Sequence, residues 1–344
     1  MMHVAEIPDS IKVPNAYSIG VNMTQSKFRY LPIPLLLLLG SLPYAAAPAA
    51  APAKTSILPA PTRVSEHVYA WIGPHGGPSV KNQGYRMNLA FVVGKDAVAV
   101  IETGYTEAMA QEMLQHIARI TTKPVKYAIN SNSQPDRFLG NEVFRRRGAL
   151  IVAHQAEAKR MADMGGIFAQ AAENALALPP GSARIPDAPD KILSADTTLD
   201  LGGVTLNLRH FGAAHTPGPL VVHIPQDKIV YAGDVLYSGR LPAIVTGGNI
   251  KSWIAVFEKL REFGDVRFVP GHGKPAPLAD FEFSTLEYLK LLHTHMTKMV
   301  EDGKDIQAAM ASLDQSRWAK LENYQDLAGR NASLAYLEAE AASF

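Results

Sequence analysis

Two apolar hairpins fix most of what this chain can fold into. Residues 88–104 read NLAFVVGKDAVAVIETG, two apolar runs that turn at Gly94–Asp96. Residues 220–234 read LVVHIPQDKIVYAGD, a second pair around Gln226–Asp227. Short β-branched runs bounded by turn residues signal strands. Helix-like segments surround both. Met109, Met113, Ile117 and Ile120 recur at helical spacing over 107–120, and Trp253, Phe257 and Leu260 do so in SWIAVFEKLREFG. VKYAIN, GALIVAH, VTLNLRHFG and VRFVPGHG read as further strands, and a helix runs through 156–164. Residues 165–190, rich in Ala and Pro, read as an irregular insertion or lid. The segment 278–340 reads as helical, with Leu289, Leu292, Met296 and Met299 on one face and a stop at Gly303. Strands and helices thus alternate twice with hairpins mixed in. That order predicts an α/β fold: a two-sheet sandwich with helices on both outer faces.

Composition narrows the function classes. The chain has 344 residues, is 47% hydrophobic and carries a net charge of +1. It can bury a substantial core, and no basic field points to nucleic acid. With no cysteine there are no disulfides, thiolate metal sites or cysteine nucleophiles, which suits an oxidising compartment. From Met23, basic Lys27 and Arg29 precede a mostly apolar run from Leu31 to Leu42, then small residues with A-x-A at Ala45–Ala47. This is the order of a secretory signal peptide. The run is shorter than the ~20 residues of a membrane-spanning helix. The sequence therefore divides into an N-terminal extension and signal (1–47), an Ala/Pro linker (48–61), a main domain (62–277) and a helical extension (278–344).

Four polar residues sit where predicted strands end: Asp136, His215 in GAAHTPG, Asp234 in YAGDVLY and His272 in VPGHGKP. Each alone reads as a turn or hydrogen-bonded structural residue. Together they offer N and O donors on strand-end loops, the raw material of a zinc-type site with one position open to water.

In that order and context the residues resemble the metallo-β-lactamase-fold hydrolases over about residues 60–275. HTPG, GD and GHG stand intact around His215, Asp234 and His272, and Glu102 in IETG takes the place of an acidic residue that usually precedes Thr-Gly. The resemblance implies a four-layer αββα sandwich with extra C-terminal helices. The signal and the tail, including LENYQDLAGRN, look like a periplasmic subgroup that accompanies quinoprotein or sulfur-oxidation systems. The loop INSNSQPDRFLGN departs from the family's H-x-H-x-D-H: Asn132, Gln134 and Arg137 replace the three histidines, and Asp136 is retained. Neutral amides are poor zinc ligands. The resemblance therefore implies one divalent metal with Asp136, His215, Asp234 and His272 as candidate ligands, of which Asp136, Asp234 and His272 form the better-kept site. Zinc is the first choice, Mn²⁺ or Fe²⁺ suits the oxygen-rich set, and no second metal is expected.

The reaction implied is hydrolysis of a small ester, thioester or lactam by metal-activated water, in the periplasm. Asp136 would orient the water, and His215 would act as a base. Asn132, Gln134 and Arg137 would contact substrate or support the site. The expected partners are a small-molecule substrate and a periplasmic redox protein, with no nucleic acid, and no membrane once the signal is cleaved. Three lost histidines keep an alternative open, a non-catalytic binding or accessory protein. The other histidines read as structural: His210 at a strand edge, His223 within a strand, His293 and His295 pointing apart on a helix, and His75 in an exposed Gly-rich loop.

Overall fold

The computed structural model describes residues 56–343; the predicted signal peptide and the linker up to residue 55 lie outside them. One sheet holds β1 (Thr62–Arg63), β2 (Val68–Trp71), β3 (Leu89–Val93), β4 (Val98–Ile101), β5 (Val125–Ile129), β6 (Leu150–His154) and β7 (Lys191–Leu193), in that spatial order. Pairing is antiparallel from β1 to β4 and parallel from β4 to β7. The second sheet has the order β12-β11-β10-β9-β8. Its members are β8 (Thr197–Asp200), β9 (Thr205–Arg209), β10 (Val221–Ile224), β11 (Ile229–Tyr237) and β12 (Arg267–His272). Only its β11–β12 pair is parallel.

Strand periodicity assigns the layers. In β3, Phe91 faces one core and Ala90 and Val92 another; in β4, Val98 and Val100 oppose Ala99 and Ile101. One set packs with Met109, Met113 and Ile117 of α1 (Glu107–Ile120), with Phe144 of α3 (Asn141–Arg145), and with Phe168 and Leu176 of α4 (Gln155–Leu176). The other set meets Leu206, Leu208, Val222 and Val269 between the sheets. The outer face of the second sheet is covered by α5 (Ile250–Lys259), α6 (Tyr288–Glu301), α7 (Ile306–Ser312) and α8 (Tyr324–Ala341). This is the four-layer αββα order, and the two-period alternation of apolar side chains produces it.

Three local expectations change. The helix read as ending near residue 164 continues to Leu176. Phe168, Ala169, Ala172 and Leu176 are buried at helical spacing and carry it past the Gly165–Gly166 pair. Asp234 does not close its strand: β11 runs on to Tyr237, and its pairing with β12 is irregular across Gly233. Gly233 has φ +53°, and a Cβ there would meet Ser131 Oγ at 2.6 Å. β7 and β8 were not read from the sequence, because their Lys, Asp and Thr content gives no apolar run.

The C-terminal helices share one core with the second sheet, where Leu289, Leu292 and Trp318 pack with Trp253 and Phe257. Asn331 of α8, fully buried, fixes the tail to residues 242–244. Its Oδ1 accepts from the Ile244 N–H at 2.9 Å, and its Nδ2 donates to Pro242 O at 2.8 Å. Asn331→Ala would strand both backbone groups in a dry interior. It is expected to lower unfolding free energy by about 2 kcal/mol, read from urea denaturation.

Candidate active site

The loop after β5 builds the site. Ser131 N–H donates to the buried Glu102 carboxyl group at 3.1 Å, and Ser133 N–H to the buried Glu157 at 2.7 Å. Glu157 also accepts from Gly218 N–H at 2.5 Å, which ties this loop to the HTPG loop. Pro135 then starts a single helical turn, α2 (Pro135–Phe138), because its fixed φ suits a first helical position. That turn carries Asp136 and Arg137.

Arg137 is the centre of the arrangement. It is 0% exposed. Its Nε and Nη2 donate to the two oxygens of Asp234 at 3.0 and 2.6 Å, a bidentate pair. Its Nη1 donates to Asn88 O at 3.1 Å. Asn88 is itself clamped: its Nδ2 donates to Pro270 O and Gly273 O, each at 2.8 Å. Burial alone would raise the Asp234 carboxyl; the Arg137 charge, helped by the Asn132 hydrogen bond, overrides it and holds the group well below the carboxylate range. Gly271 lies against this carboxylate, and a Cβ there would sit 2.2 Å from Asp234 Oδ1.

The four residues singled out in the sequence come together around one cavity of about 170 Å³. His272 Nδ1 lies 3.0 Å from Arg86 O. With the proton on Nδ1 donated there, the Nε2 lone pair faces Arg137 Nη2 at 3.4 Å. His215 Nδ1–H likewise donates to Ala243 O at 2.8 Å, and among the described residues nothing bonds its Nε2. Burial lowers both histidines, so both are neutral at pH 7. Asp136 is nearly buried, yet its oxygens stand only in loose ion pairs, 3.8 Å from Arg86 Nη1 and 3.6 Å from Arg137 Nε. Gln134 lines the cavity. Asn132 is turned away from ligand duty: its Nδ2 donates to Asp234 Oδ2 at 2.8 Å, and its Oδ1 accepts from Gln134 N–H at 2.8 Å.

The sequence did not single out Arg86, Arg240, Tyr237, Leu327 or Arg330, which line the same cavity. Burial first, then the Arg86 charge, lowers Arg240 to about 10, so it stays cationic. Leu327 and Arg330 belong to α8, so the C-terminal tail forms part of the wall. The remaining histidines lie elsewhere: His210 stacks on His154, His223 packs on Phe263, and His295 bonds Ala309 O. His75 is partly buried, with its backbone carbonyl accepting from Arg240.

A model of the metallo-β-lactamase superfamily matches residues 84–272, more than half of the chain. The chain belongs to the metallo-β-lactamase superfamily. It is 21% identical over 219 residues to a type 2 metallo-β-lactamase of Bacteroides fragilis, spanning 62% of this chain and 78% of that one. A shorter match, 26% over 91 residues, covers 25% of this chain and 32% of the acyl-coenzyme A thioesterase MBLAC2 of Gallus gallus. In structure it is similar to a metallo-β-lactamase from Pontibacter korlensis, with TM-score 0.55, 22% identity and cover of 67% of this chain and 98% of that one. It is also similar to DIM-1 metallo-β-lactamase exposed to ceftazidime, with TM-score 0.53, 15% identity and cover of 68% and 98%. The superfamily consists of metallo-hydrolases whose members bind divalent metals, usually zinc.

The donor set, as arranged, does not fit such a metal. Both Asp234 oxygens are engaged by Arg137 and Asn132, and the lone pair of His272 faces a guanidinium N–H. Among the described residues no three His, Asp or Glu side chains are grouped to hold a cation. The convergence of Asp136, Asp234 and His272 expected on a metal is instead organised around the Arg137 guanidinium, a fixed monovalent cation with five donors and no acceptor.

Proposed function

We propose that this chain is an exported member of the superfamily whose cavity binds a small molecule without metal-activated water. This is the non-catalytic reading that the altered loop left open. The observation that carries it is the Arg137 guanidinium, bonded to both Asp234 oxygens and facing the His272 lone pair. A guanidinium supplies positive charge and hydrogen bonds but, unlike a zinc ion, does not convert bound water into hydroxide at neutral pH. Export rests on the signal-like residues after Met23, and periplasmic placement beside a redox protein rests on the subgroup resemblance.

The test is metal analysis of the purified chain with a chelator series. No stoichiometric zinc, iron or manganese is expected, and EDTA should leave the melting temperature unchanged. A full equivalent of metal, lost in His272→Ala, would overturn the reading.

A second reading, a periplasmic hydrolase with one metal acting on a small ester, thioester or lactam, is favoured by one observation. Asp136, His215, Asp234 and His272 all line a single cavity. It requires Arg137 to release Asp234, and the same metal analysis decides it.

A further inference from the structure

We propose that the cavity beside Arg137 is a site for a short carboxylate bearing a hydrogen-bond donor next to its acid group, as in a small hydroxy- or amino-acid. This deepens the metal-independent reading and rests on it, since the site's own cation is then Arg137 and a ligand must satisfy what remains.

What remains is specific. Arg86 and Arg240 both line the cavity. Arg86 Nε is buried without a hydrogen-bond partner among the described residues. Arg240 is 2% exposed; its Nε donates to Leu241 O and its Nη1 to His75 O, while no described residue accepts from its Nη2. Two guanidiniums near each other at low dielectric repel unless an anion lies between them. Asp234 cannot serve as that anion, because Arg137 and Asn132 occupy its oxygens. Asp136 is the one lining carboxylate not so occupied, at 3.8 Å from Arg86. A carboxylate ligand would take the free guanidinium donors in charge-assisted bonds.

The same cavity also presents acceptors. His215 Nε2 carries a lone pair, since Nδ1–H is committed to Ala243 O, and the Asp136 oxygens are not in close hydrogen bonds. Acceptors beside an anion site call for a ligand with its own donor, a hydroxyl or an ammonium group. Size sets the rest. A cavity of about 170 Å³ is near the ~150 Å³ of an engineered cavity that holds benzene, so it suits roughly six heavy atoms.

The test is calorimetric titration of the metal-analysed, EDTA-treated full chain in a low-anion buffer, with glycolate, lactate, glycine, acetate and the neutral glycolamide as probes. Glycolate or glycine should bind about tenfold tighter than acetate, and glycolamide should give no heat. Arg86→Gln should weaken every anion by about tenfold or more, whereas His215→Ala should erase only the advantage over acetate. The glycolate and glycine arms separate a hydroxyl donor from an ammonium. Arg240→Gln is a buried change, so its folding is checked by circular dichroism, and Arg86→Gln, on a half-buried side chain, carries the test if it unfolds. Absence of binding by all the anions, binding untouched by Arg86→Gln, or acetate equal to both glycolate and glycine would each overturn the proposal. A metal-free chain that binds none of the probes sinks only this ligand class. A chain that retains stoichiometric metal through EDTA sinks the metal-independent reading itself.

Discussion

Arg137→Met is expected to remove about 3–5 kcal/mol of unfolding free energy, among the largest effects of any single change in this protein. The arginine is fully buried, and its loss leaves Asp234 with Asn132 as its remaining close hydrogen-bond donor. An uncompensated buried carboxylate either stays charged at high cost or takes up a proton. The second route has a pH signature. In the parent, the folded Asp234 carboxyl lies far below its ordinary range. The pair's contribution is therefore present above the unfolded carboxyl pKa and fades as pH falls toward the folded value. In Arg137→Met that acid-side dependence should vanish or reverse. Urea denaturation of both proteins from about pH 2 to about pH 8 measures it. Arg137→Met with Asp234→Asn should recover much of the loss, giving a coupling energy of at least about 1.5 kcal/mol in the double-mutant cycle. A single variant as stable as the parent would mean that something other than Arg137 neutralises Asp234, and a bound metal would be the first candidate.

That arrangement was only half legible in the sequence. The layers followed from alternation, as Phe91 and Val92 go to opposite cores, and from the helical spacing of Met109, Met113 and Ile117. The gathering of Asp136, His215, Asp234 and His272 followed from their strand-end contexts, although Asp234 proved to lie inside β11. What those residues do to one another did not follow. Arg137 directly succeeds Asp136, which suggests support of that carboxylate; chain order did not show that its guanidinium would take both oxygens of Asp234, 97 positions away. Asn88 and Arg240 were invisible for the same reason, since their partners are set by the approach of distant loops. Residues 165–176 misled in the opposite direction: taken with the Ala- and Pro-rich stretch 165–190 they suggested an insertion, but the prolines begin only at Pro179, alanine is the best helix former, and the helix is packed along one side.

Glu102→Gln should make the protein more stable at alkaline pH and change it little in acid. Glu102 is fully buried at φ +67°, and Oε2 accepts from Ser131 N–H while Oε1 has no partner among the described residues. Burial, opposed by Arg137 and Ser131, pushes its carboxyl up from 4.5 to about 8. The folded state therefore keeps a proton that the unfolded chain gives up. The associated stability is fully present below the unfolded pKa and is lost as pH rises toward the folded one, by up to about 1.4 kcal/mol per unit. Glutamine keeps an acceptor for Ser131 and has nothing to ionise. The difference between variant and parent, followed by denaturation, should grow from about pH 4.5 to about pH 8 and then level off. Parallel curves would show that Glu102 is already ionised in the folded protein. Arg137 would then be shared among three carboxylates, Glu102, Asp136 and Asp234, and the balance of one guanidinium against one close aspartate would fail. A growing gap means that Glu102 keeps its proton in the folded state, which leaves the Arg137 guanidinium to Asp234 at 2.6 Å and Asp136 at 3.6 Å.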